Sequence, residues 1–275
     1  MNVDLHCHST ASDGLLKPAE VAARAAANGV DVLALTDHDD LSGLAEARAE
    51  AEARGVRFVE GVEVSVSWRG TTVHIVGLRI DPRSEVLRQG LEAIRHGRAT
   101  RAQKIGESLD AAGVPGSLAG AKRHAENPEL ISRSHFARYL VEAGRAPDVK
   151  NVFQRFLVKD KPGYVVHEWA ALADAVSWIR ASGGIAVVAH PGRYKFSRPE
   201  MRELFAEFRD CGGAAIEVVT GSHAPEQYLE FARSAREFGF LASRGSDYHG
   251  KGESKADLGT LPPLPDDLKP VWHDW

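Results

Sequence analysis

Short apolar runs rich in β-branched residues alternate with longer alanine-rich runs along most of this sequence. The apolar runs include Val32–Thr36, Ile185–Ala189 and Ala215–Val219, and each is followed by a stretch of helical composition. Repeated strand–helix units pack as a parallel sheet covered by helices, and such a sheet is either open or closed into a barrel. The alternation therefore predicts an α/β fold built on a parallel sheet.

The pattern divides into predicted elements. The predicted strands are Val3–His8, Val32–Thr36, Arg57–Val66, Thr71–Ile80, Ile185–Ala189, Ala215–Val219 and Phe240–Ser243. The predicted helices outside the central segment are Pro18–Asn28, Ser42–Gly55 with Ser42 as its N-cap, Arg198–Arg209 and Pro225–Phe238. Hydroxyl side chains favour helix starts and glycine favours helix ends, which sets several of these bounds. The strands on either side of Trp68 are predicted to form a hairpin.

The central segment from Arg98 to Lys161 interrupts the strand–helix alternation. Its helix-forming stretches are Arg101–Ala112, Leu118–Ala125 and Ser134–Ala143, and it contains no strand-like run. We therefore predict a barrel domain formed by residues 1–97 and 162–275, and a helical insertion domain formed by residues 98–161.

The charge balance and the cysteine count limit the classes of function. The net charge of -4 provides no global basic field to hold a long nucleic acid, although a local basic groove is compatible with it. The two cysteines, Cys7 and Cys211, form no CxxC pair, so we expect no disulfide framework and a cytoplasmic location. Neither a signal peptide nor a membrane-spanning apolar run is evident, and we expect no membrane contact and no obligate protein partner.

Histidines and acidic residues gather near the ends of the predicted strands. His6 and His8 lie two residues apart on the first strand, so both imidazoles project from the same face. Such a pair is a weak indication of a metal site, and two buried structural histidines are the alternative. Asp13 follows in a Ser-Asp-Gly loop, where an ordinary turn aspartate is the alternative.

The second strand is followed directly by four polar residues, Asp37–Asp40. The carboxyl end of a parallel strand is where α/β proteins build their sites, and His38 is the predicted ligand in this group. The three aspartates of the group are predicted to be helix caps or hydrogen-bond acceptors that support the ligand.

The predicted hairpin contributes two further candidates. Glu60 and Glu63 lie on opposite faces of their strand, so only one of them can face a shared site. Glu63 is the better candidate because it lies deep in an apolar run, where burial is costly without a cation or another partner. His74 also lies among apolar neighbours, and a hydrogen-bonded core histidine is the alternative there.

Two later strands end in similar groups. His190 follows one strand with Arg193 just beyond it, and Asp247 and His249 follow the last strand. The complete set of predicted ligands is His6, His8, Asp13, His38, Glu63, His74, His190, Asp247 and His249. Imidazole and carboxylate donors suit zinc, manganese or iron. Because this set exceeds what one ion can use, we predict two or three divalent ions that share a bridging carboxylate.

These motifs closely resemble those of the polymerase and histidinol phosphatase (PHP) family of metal-dependent phosphoesterases. The matching segments are Asp4–Ser9, Thr36–Asp39, Gly61–Ser65, His74, Ala189–Gly192 and Ser246–His249. The resemblance implies a distorted (β/α)7 TIM-like barrel with its metal ions at the carboxyl ends of the strands. It also implies a metal-dependent phosphoric monoester hydrolase, with Mn²⁺ as the expected ion and Zn²⁺ or Fe²⁺ as alternatives.

The resemblance also implies how the ligands are shared among the ions. The implied sets are His6, His8, Glu63 and Asp247 for one ion, Glu63, His74 and His190 for a second, and Asp13, His38 and His249 for a third. All ligand positions are retained, with a histidine at position 190 where other members have cysteine. This retention counts against a non-catalytic module of the kind attached to polymerases.

Within the family, the helical insertion resembles that of members acting on 3',5'-nucleoside bisphosphates. In Ile131–Arg138, the residues Arg133, Ser134 and His135 resemble a substrate-phosphate clamp, although a solvated charge is the alternative for Arg133. Lys17 and Arg193 are weaker substrate-binding candidates, since either could be a surface charge. The predicted catalytic residues are His6, His8, Glu63, His190, Asp247, Arg133 and His135.

The implied substrate is a small nucleotide of the adenosine 3',5'-bisphosphate type. Hydrolysis of its 3'-phosphate would give the 5'-monophosphate and phosphate, and either His135 or a metal-bound water would protonate the leaving 3'-oxygen. The insertion would cover the site as a lid. Two related activities stay open as alternatives: 5'→3' exonuclease action on short RNA, and hydrolysis of histidinol phosphate.

Overall fold

Seven strands form a nearly closed barrel in the computed structural model, which describes residues 1–275. With one short strand that lies outside the barrel path, the chain has eight strands: β1 (Val3–Asp4), β2 (Val32–Leu35), β3 (Arg57–Trp68), β4 (Thr71–Leu78), β5 (Ala170–Ala171), β6 (Ile185–Val188), β7 (Ala215–Thr220) and β8 (Leu241–Gly245). They pair in the order β1-β2-β3-β4-β6-β7-β8, and the short β5 lies beside β3. The Leu5 N–H donates to the Arg244 carbonyl, which joins the first strand segment to the last. The predicted distorted α/β barrel is confirmed.

The strand β4 departs from the parallel arrangement. It is antiparallel to both β3 and β6, whereas the other neighbouring strands of the barrel are parallel. The predicted hairpin is therefore present, and in its register Ser65 lies opposite His74. Cross-strand partners share a face of the sheet, as do residues two apart on one strand. Glu63, Ser65 and His74 consequently face the same side.

Helices cover the barrel and fill the central segment. They are α1 (Pro18–Ala27), α2 (Leu44–Ala53), α3 (Glu85–Ala111), α4 (Ser117–Arg123), α5 (Arg133–Glu142), α6 (Val149–Val152), α7 (Leu172–Ala181), α8 (Arg198–Asp210) and α9 (Pro225–Phe238). A π-helical turn at Phe153–Leu157 follows α6, and a 3-10 turn at Pro191–Arg193 follows β6. None of the helices combines the length and the apolar character needed to span a membrane.

The apolar side chains form three groups. Alternate strand residues such as Leu33 and Val64 point outward into a cluster of 42 buried residues beneath the surrounding helices. Their neighbours, such as Val32 and Val76, belong to a cluster of 11 residues that includes alternate positions of the barrel strands. A separate cluster of 12 residues draws only on the range 102–157. The predicted boundary at residue 98 lies inside the continuous helix α3, so the division into two domains stays a prediction.

Some local predictions are wrong. The first strand ends at Asp4 and not at His8, because isolated hydrogen bonds such as that from the His8 N–H to the Tyr248 carbonyl replace regular pairing. Ser42 does not cap α2, which has Gly43 at its N-cap. The Ser42 N–H instead donates to the Asp40 carboxylate over 2.7 Å, which closes a turn before the helix.

Gly245 allows the last strand to pack directly against His6. An added Cβ would lie 2.3 Å from the His6 Cβ and 2.6 Å from its backbone nitrogen. We expect Gly245→Ala to displace His6 and to lower the free energy of unfolding by about 1–3 kcal/mol or more, the usual range for overpacking. Thermal or denaturant unfolding measures this loss.

Gly29→Ala is the control for this prediction. Its position has a φ of 74° and no atom within 4 Å of an added Cβ, so the substitution introduces backbone strain without a clash. A loss of stability in Gly245→Ala no larger than that in Gly29→Ala would contradict the proposed close packing.

Candidate metal centre

The predicted ligands converge at one end of the barrel. Their donor atoms form overlapping groups whose members lie within 4.8 Å of one another. The groups are His8, Asp13, His38 and His249; His6, His190 and Asp247; His6, His8 and Glu63; and His38, Glu63 and His74. Most of these side chains follow the carboxyl end of a strand, and His74 reaches the same end because β4 runs in the opposite direction.

Glu63 lies at the centre of the cluster and is fully buried. Its Oε1 is 2.9 Å from His74 Nδ1 and 2.9 Å from His190 Nε2. Its Oε2 is 3.3 Å from the Nε2 atoms of both His6 and His8. Both oxygens of one carboxylate therefore face imidazole nitrogens, which is the arrangement needed for a carboxylate that bridges two cations.

Asp13 and Asp247 extend the cluster on the side of His8. The Oδ1 of Asp13 is 3.4 Å from His249 Nε2 and 3.9 Å from His38 Nε2. The other ring nitrogen of His38 is 3.0 Å from Glu63 Oε2, so His38 links the two carboxylates. The Oδ1 of Asp247 is 3.4 Å from His8 Nε2.

The donor set fits divalent cations. Buried nitrogen and oxygen atoms that form no hydrogen bond include His8 Nδ1, Asp13 Oδ1, His38 Nδ1, Glu63 Oε2, His190 Nδ1 and Asp247 Oδ1. His38 Nδ1 and Glu63 Oε2 are only 3.0 Å apart, but they are not hydrogen-bonded to each other. Buried polar atoms are otherwise nearly always paired, and an unpaired one is costly. Burial alone would raise the pKa of Glu63, but the surrounding imidazoles, His74 foremost, hold that pKa well below its ordinary value. Burial lowers the pKa of His38 to about 4 and that of His190 to about 3, so both rings are neutral and able to bind a cation.

Glu217 on β7 holds two members of the cluster and is not among the predicted site residues. Its Oε1 is 2.7 Å from His6 Nδ1, and its Oε2 accepts the His190 N–H over 2.5 Å. A carboxylate on one ring nitrogen of a histidine directs the other nitrogen toward a metal. Glu217 is a buried acid within an apolar strand, and the argument that selected Glu63 applies equally to it.

Two of the predicted ligands have strained backbones. His190 has a φ of 26° and Asp247 a φ of 54°, a region that residues other than glycine rarely adopt. The Glu217 carboxylate accepts the backbone N–H of His190, and the His6 carbonyl accepts that of Asp247. Such strain persists where surrounding contacts enforce it, and here it occurs at residues whose side chains belong to the cluster.

The aspartates that flank His38 support neighbouring segments. Asp37 accepts the Ser9 N–H over 2.7 Å and the Ser12 hydroxyl over 2.5 Å, which fixes the loop between His8 and Asp13. Asp39 accepts the N–H of a neighbouring β3 residue over 2.7 Å. None of these aspartates caps α2, so the predicted helix-cap role is wrong. The contacts favour the other predicted role, in which the aspartates accept hydrogen bonds that support the ligands.

A polar pocket adjoins the cluster. The predicted ligands that line it are Asp13, His38, His74 and His249. The arginines that line it are Arg98, Arg101, Arg133 and Arg193. One cavity therefore joins a candidate cation site to a group of positive side chains, which suits a substrate carrying several negative charges.

Three of the predicted substrate-binding residues line this pocket. The guanidinium of Arg133 lies over the Phe153 ring at 5.6 Å and forms no ion pair with a carboxylate. The Ser134 hydroxyl donates to Asp13 Oδ2 over 2.9 Å. Arg193 donates to Asp247 Oδ2 over 3.1 Å while half of its side chain is exposed.

Two other predicted substrate-binding residues lie outside the pocket. His135 is buried, accepts the Ser132 N–H at its Nδ1 over 3.0 Å, and completes the capping box of α5. Burial lowers the pKa of His135 to about 4, so this imidazole is neutral at neutral pH and poorly suited to donate a proton. Lys17 is exposed at the start of α1. We therefore do not retain His135 and Lys17 as substrate contacts.

Arg98 and Arg101 are pocket residues that were not predicted. Both lie on α3, where arginine ordinarily forms a solvated helix surface. Their spacing of three residues places them on one helix face, which was the available indication in the sequence. Their burial depends on Trp169, whose ring lies 4.8 Å from the Arg98 guanidinium and 5.2 Å from that of Arg101.

Residues 4–221 match the PHP domain family, and the chain belongs to this family. Over 273 residues it is 52% identical to the 3',5'-nucleoside bisphosphate phosphatase of Chromobacterium violaceum, covering 99% of this chain and 96% of that protein. It is 41% identical over 273 residues to a 5'-3' exoribonuclease of Haemophilus influenzae, covering 98% and 97%. A solved structure of an amidohydrolase from Chromobacterium violaceum, with bound sulfate and no metal, superposes with a TM-score of 0.96 at 52% identity, covering 99% and 95%.

The central position of Glu63 predicts that its charge is required for metal binding. Glu63→Gln keeps the side-chain volume and removes the charge. We expect metal affinity to fall by at least about 100-fold, more than the 10–100-fold typical of residues that only support a ligand. Elemental analysis after dialysis and metal titration measure the change.

Glu60→Gln is the matched control for this prediction. Glu60 lies on the same strand, but its Oε1 accepts from Arg48 Nε over 2.9 Å, outside the cluster. We expect Glu60→Gln to retain its metal. Equal metal content in Glu63→Gln and the unmodified protein would refute the central role of Glu63.

Proposed function

We propose that this chain hydrolyses the 3'-phosphate of a 3',5'-nucleoside bisphosphate, giving the 5'-monophosphate and phosphate. The observation that carries the proposal is the single pocket lined by four members of the histidine–carboxylate cluster and by four arginines. Cations held by the cluster would stabilise the negative charge that develops when water attacks phosphorus. Several arginines in the same pocket can bind the oxygens of two phosphate groups. The relative at 52% identity that bears this activity in its name supports the same substrate class.

The proposed cofactor is two or three divalent ions per chain, with Mn²⁺ as the first choice and Zn²⁺ or Fe²⁺ as alternatives. The proposed ligand sets are those that the family resemblance implies: His6, His8, Glu63 and Asp247; Glu63, His74 and His190; and Asp13, His38 and His249. Within each set the carboxylate oxygens lie within 4 Å of the histidine nitrogens, which supports this division. When bound, such ions lower the pKa of water to roughly 7 and offset negative charge on phosphate oxygens.

The protein's own pocket residues would bind and orient the phosphate that is removed. Arg133 would donate to its non-bridging oxygens, since this guanidinium lines the pocket without a carboxylate partner. Arg193, held by Asp247, would contribute a second positive charge. The oxygen of water forms the new bond to phosphorus, and the bond from phosphorus to the 3'-oxygen breaks. Because His135 is buried and neutral, we assign protonation of the 3'-oxygen to water.

The helical insertion of residues 98–161 is proposed to cover the pocket. Arg101, Arg133 and Phe153 all come from this range and line the cavity beside ligands from the barrel. Closure of such a segment over a substrate excludes bulk water and strengthens electrostatic contacts. A cytoplasmic location remains part of the same proposal.

Exonuclease action on short RNA is the second candidate function. A larger open groove adjoins Asp247 and His249 and is lined by Lys150, Arg193 and Lys255. Cleavage of the O3'–P bond is the same chemical step when the phosphate carries the rest of an RNA chain, and this groove could accept that continuation. The relative at 41% identity named as a 5'-3' exoribonuclease supports this candidate.

A substrate panel tests the proposed function. With Mn²⁺ added, we expect phosphate release from adenosine 3',5'-bisphosphate with a kcat/KM at least about tenfold above that for histidinol phosphate, because one additional charge-assisted contact contributes roughly 1.5–3 kcal/mol. Chelation should abolish turnover and added Mn²⁺ should restore it. Release of 5'-nucleotides from a 5'-labelled oligoribonucleotide reports the second candidate. Preferential turnover of histidinol phosphate would overturn the assignment.

Arg133 is predicted to bind substrate without contributing to metal binding. Arg133→Met should raise KM by about 10–100-fold, the effect of losing one charge-assisted contact, while metal content is unchanged. Steady-state kinetics and elemental analysis measure both quantities. Arg145→Met is the control, because Arg145 is an exposed arginine of the same helical segment that does not line the pocket. Unaltered kinetic constants in Arg133→Met would remove this residue from the site.

A further inference from the structure

Two arginines one turn apart on α3 enter the pocket in different electrostatic states. Arg98 is ion-paired with Asp39, whose Oδ2 accepts the Arg98 Nε–H over 2.8 Å. Arg101 has no carboxylate partner, and its Nε lacks any hydrogen-bond partner although the side chain is only 8% exposed. Both guanidinium groups lie over the Trp169 ring. Arg101 is therefore oriented and buried without being neutralised.

An unpaired guanidinium in this position is unfavourable to the fold. Burial, and then the charges of Arg133 and Arg98, lower the pKa of Arg101 to about 9. The side chain is still charged at neutral pH. A buried charge without a counter-charge destabilises the native state, and a bound anion would offset that cost.

Arg101 and Arg193 line different parts of the cavity. Arg193 donates to Asp247 and lines both the pocket and the adjoining groove beside Asp247. Arg101 is held over Trp169 and lines the pocket alone, away from that groove. A substrate that contacts Arg101 while its reacting phosphate lies at the metal cluster must carry anionic groups at two positions.

We propose that Arg101, oriented by Trp169 beside the neutralised Arg98, binds the second phosphate of the substrate, the 5'-phosphate, while the 3'-phosphate lies at the metal cluster. This inference rests on the proposed function and specifies its substrate. Arg101 is then the residue that makes the enzyme prefer bisphosphates to 3'-monophosphates. The same contact would select RNA whose first nucleotide carries a 5'-phosphate.

The ratio of kcat/KM for adenosine 3',5'-bisphosphate to that for adenosine 3'-monophosphate tests the proposal. Arg101→Met should reduce this ratio by about 10–100-fold, the effect of losing one charge-assisted contact. Arg101→Lys, which keeps the charge but not the two-pronged donor geometry, should reduce it less. Lys104→Met is the control, since Lys104 is an exposed cation of the same helix outside the pocket. An undiminished ratio in Arg101→Met would overturn the proposal.

Thermal unfolding provides a second readout that does not depend on turnover. Without ligand, Arg101→Met should unfold at a higher temperature than the unmodified protein, because an unpaired buried charge is removed. Adenosine 5'-monophosphate should raise the unfolding temperature of the unmodified protein and have a smaller effect on Arg101→Met. Equal shifts in both proteins, or no shift in either, would exclude the subsite. Failure of the unmodified protein to hydrolyse either nucleotide would instead refute the proposed function, and the binding result would still decide the subsite.

Discussion

A fully buried carboxylate surrounded by imidazoles is the constraint on which this barrel depends. Glu63 has a histidine nitrogen within 3.3 Å of each of its oxygens, and several donor atoms around it have no hydrogen-bond partner. Without cations this assembly is electrostatically costly. Other features of the fold position the imidazoles around Glu63. The antiparallel hairpin brings His74 to the metal-binding end of the barrel, and Glu217 holds His6. His190 reaches the cluster with a left-handed backbone conformation.

Much of this arrangement follows from strand periodicity. Alternation of side chains separates Glu63 from Glu60, and the structure indeed places the first in the cluster and the second against Arg48. The tendency of strand ends to carry functional residues identifies the histidines that follow β1, β2 and β6. Both rules need only local sequence, because a strand's direction and its alternation are fixed by its own backbone. Glu217 satisfies the same rule and could have been predicted with it.

The remaining features depend on contacts between distant segments. The length of β1 is determined by pairing with residues near Tyr248, far along the chain. The turn before α2 is made by the Asp40 carboxylate, which accepts the Ser42 N–H, whereas the expected serine cap would have accepted an N–H inside the first turn of the helix. Arg98 and Arg101 resemble ordinary helix-surface charges until Trp169 covers them. Burial of a long cationic side chain is a tertiary property, and helical spacing alone does not reveal it.

The two unbalanced regions of the site have opposite signs. The cluster around Glu63 gathers carboxylate and imidazole atoms without hydrogen-bond partners, whereas Arg101 and Arg133 of the adjoining pocket have no carboxylate partner. Unpaired buried charges destabilise the folded state, so neither group of residues is explained by a contribution to stability. Each group is better explained as a binding site for a ligand of opposite charge. Metal ions would balance the first region, and a phosphate bound at Arg101 would balance the second. A phosphorylated substrate that bridges the two regions would contribute most to binding where the protein alone is least stable. Its remote phosphate would thereby help to hold the reacting phosphate in place.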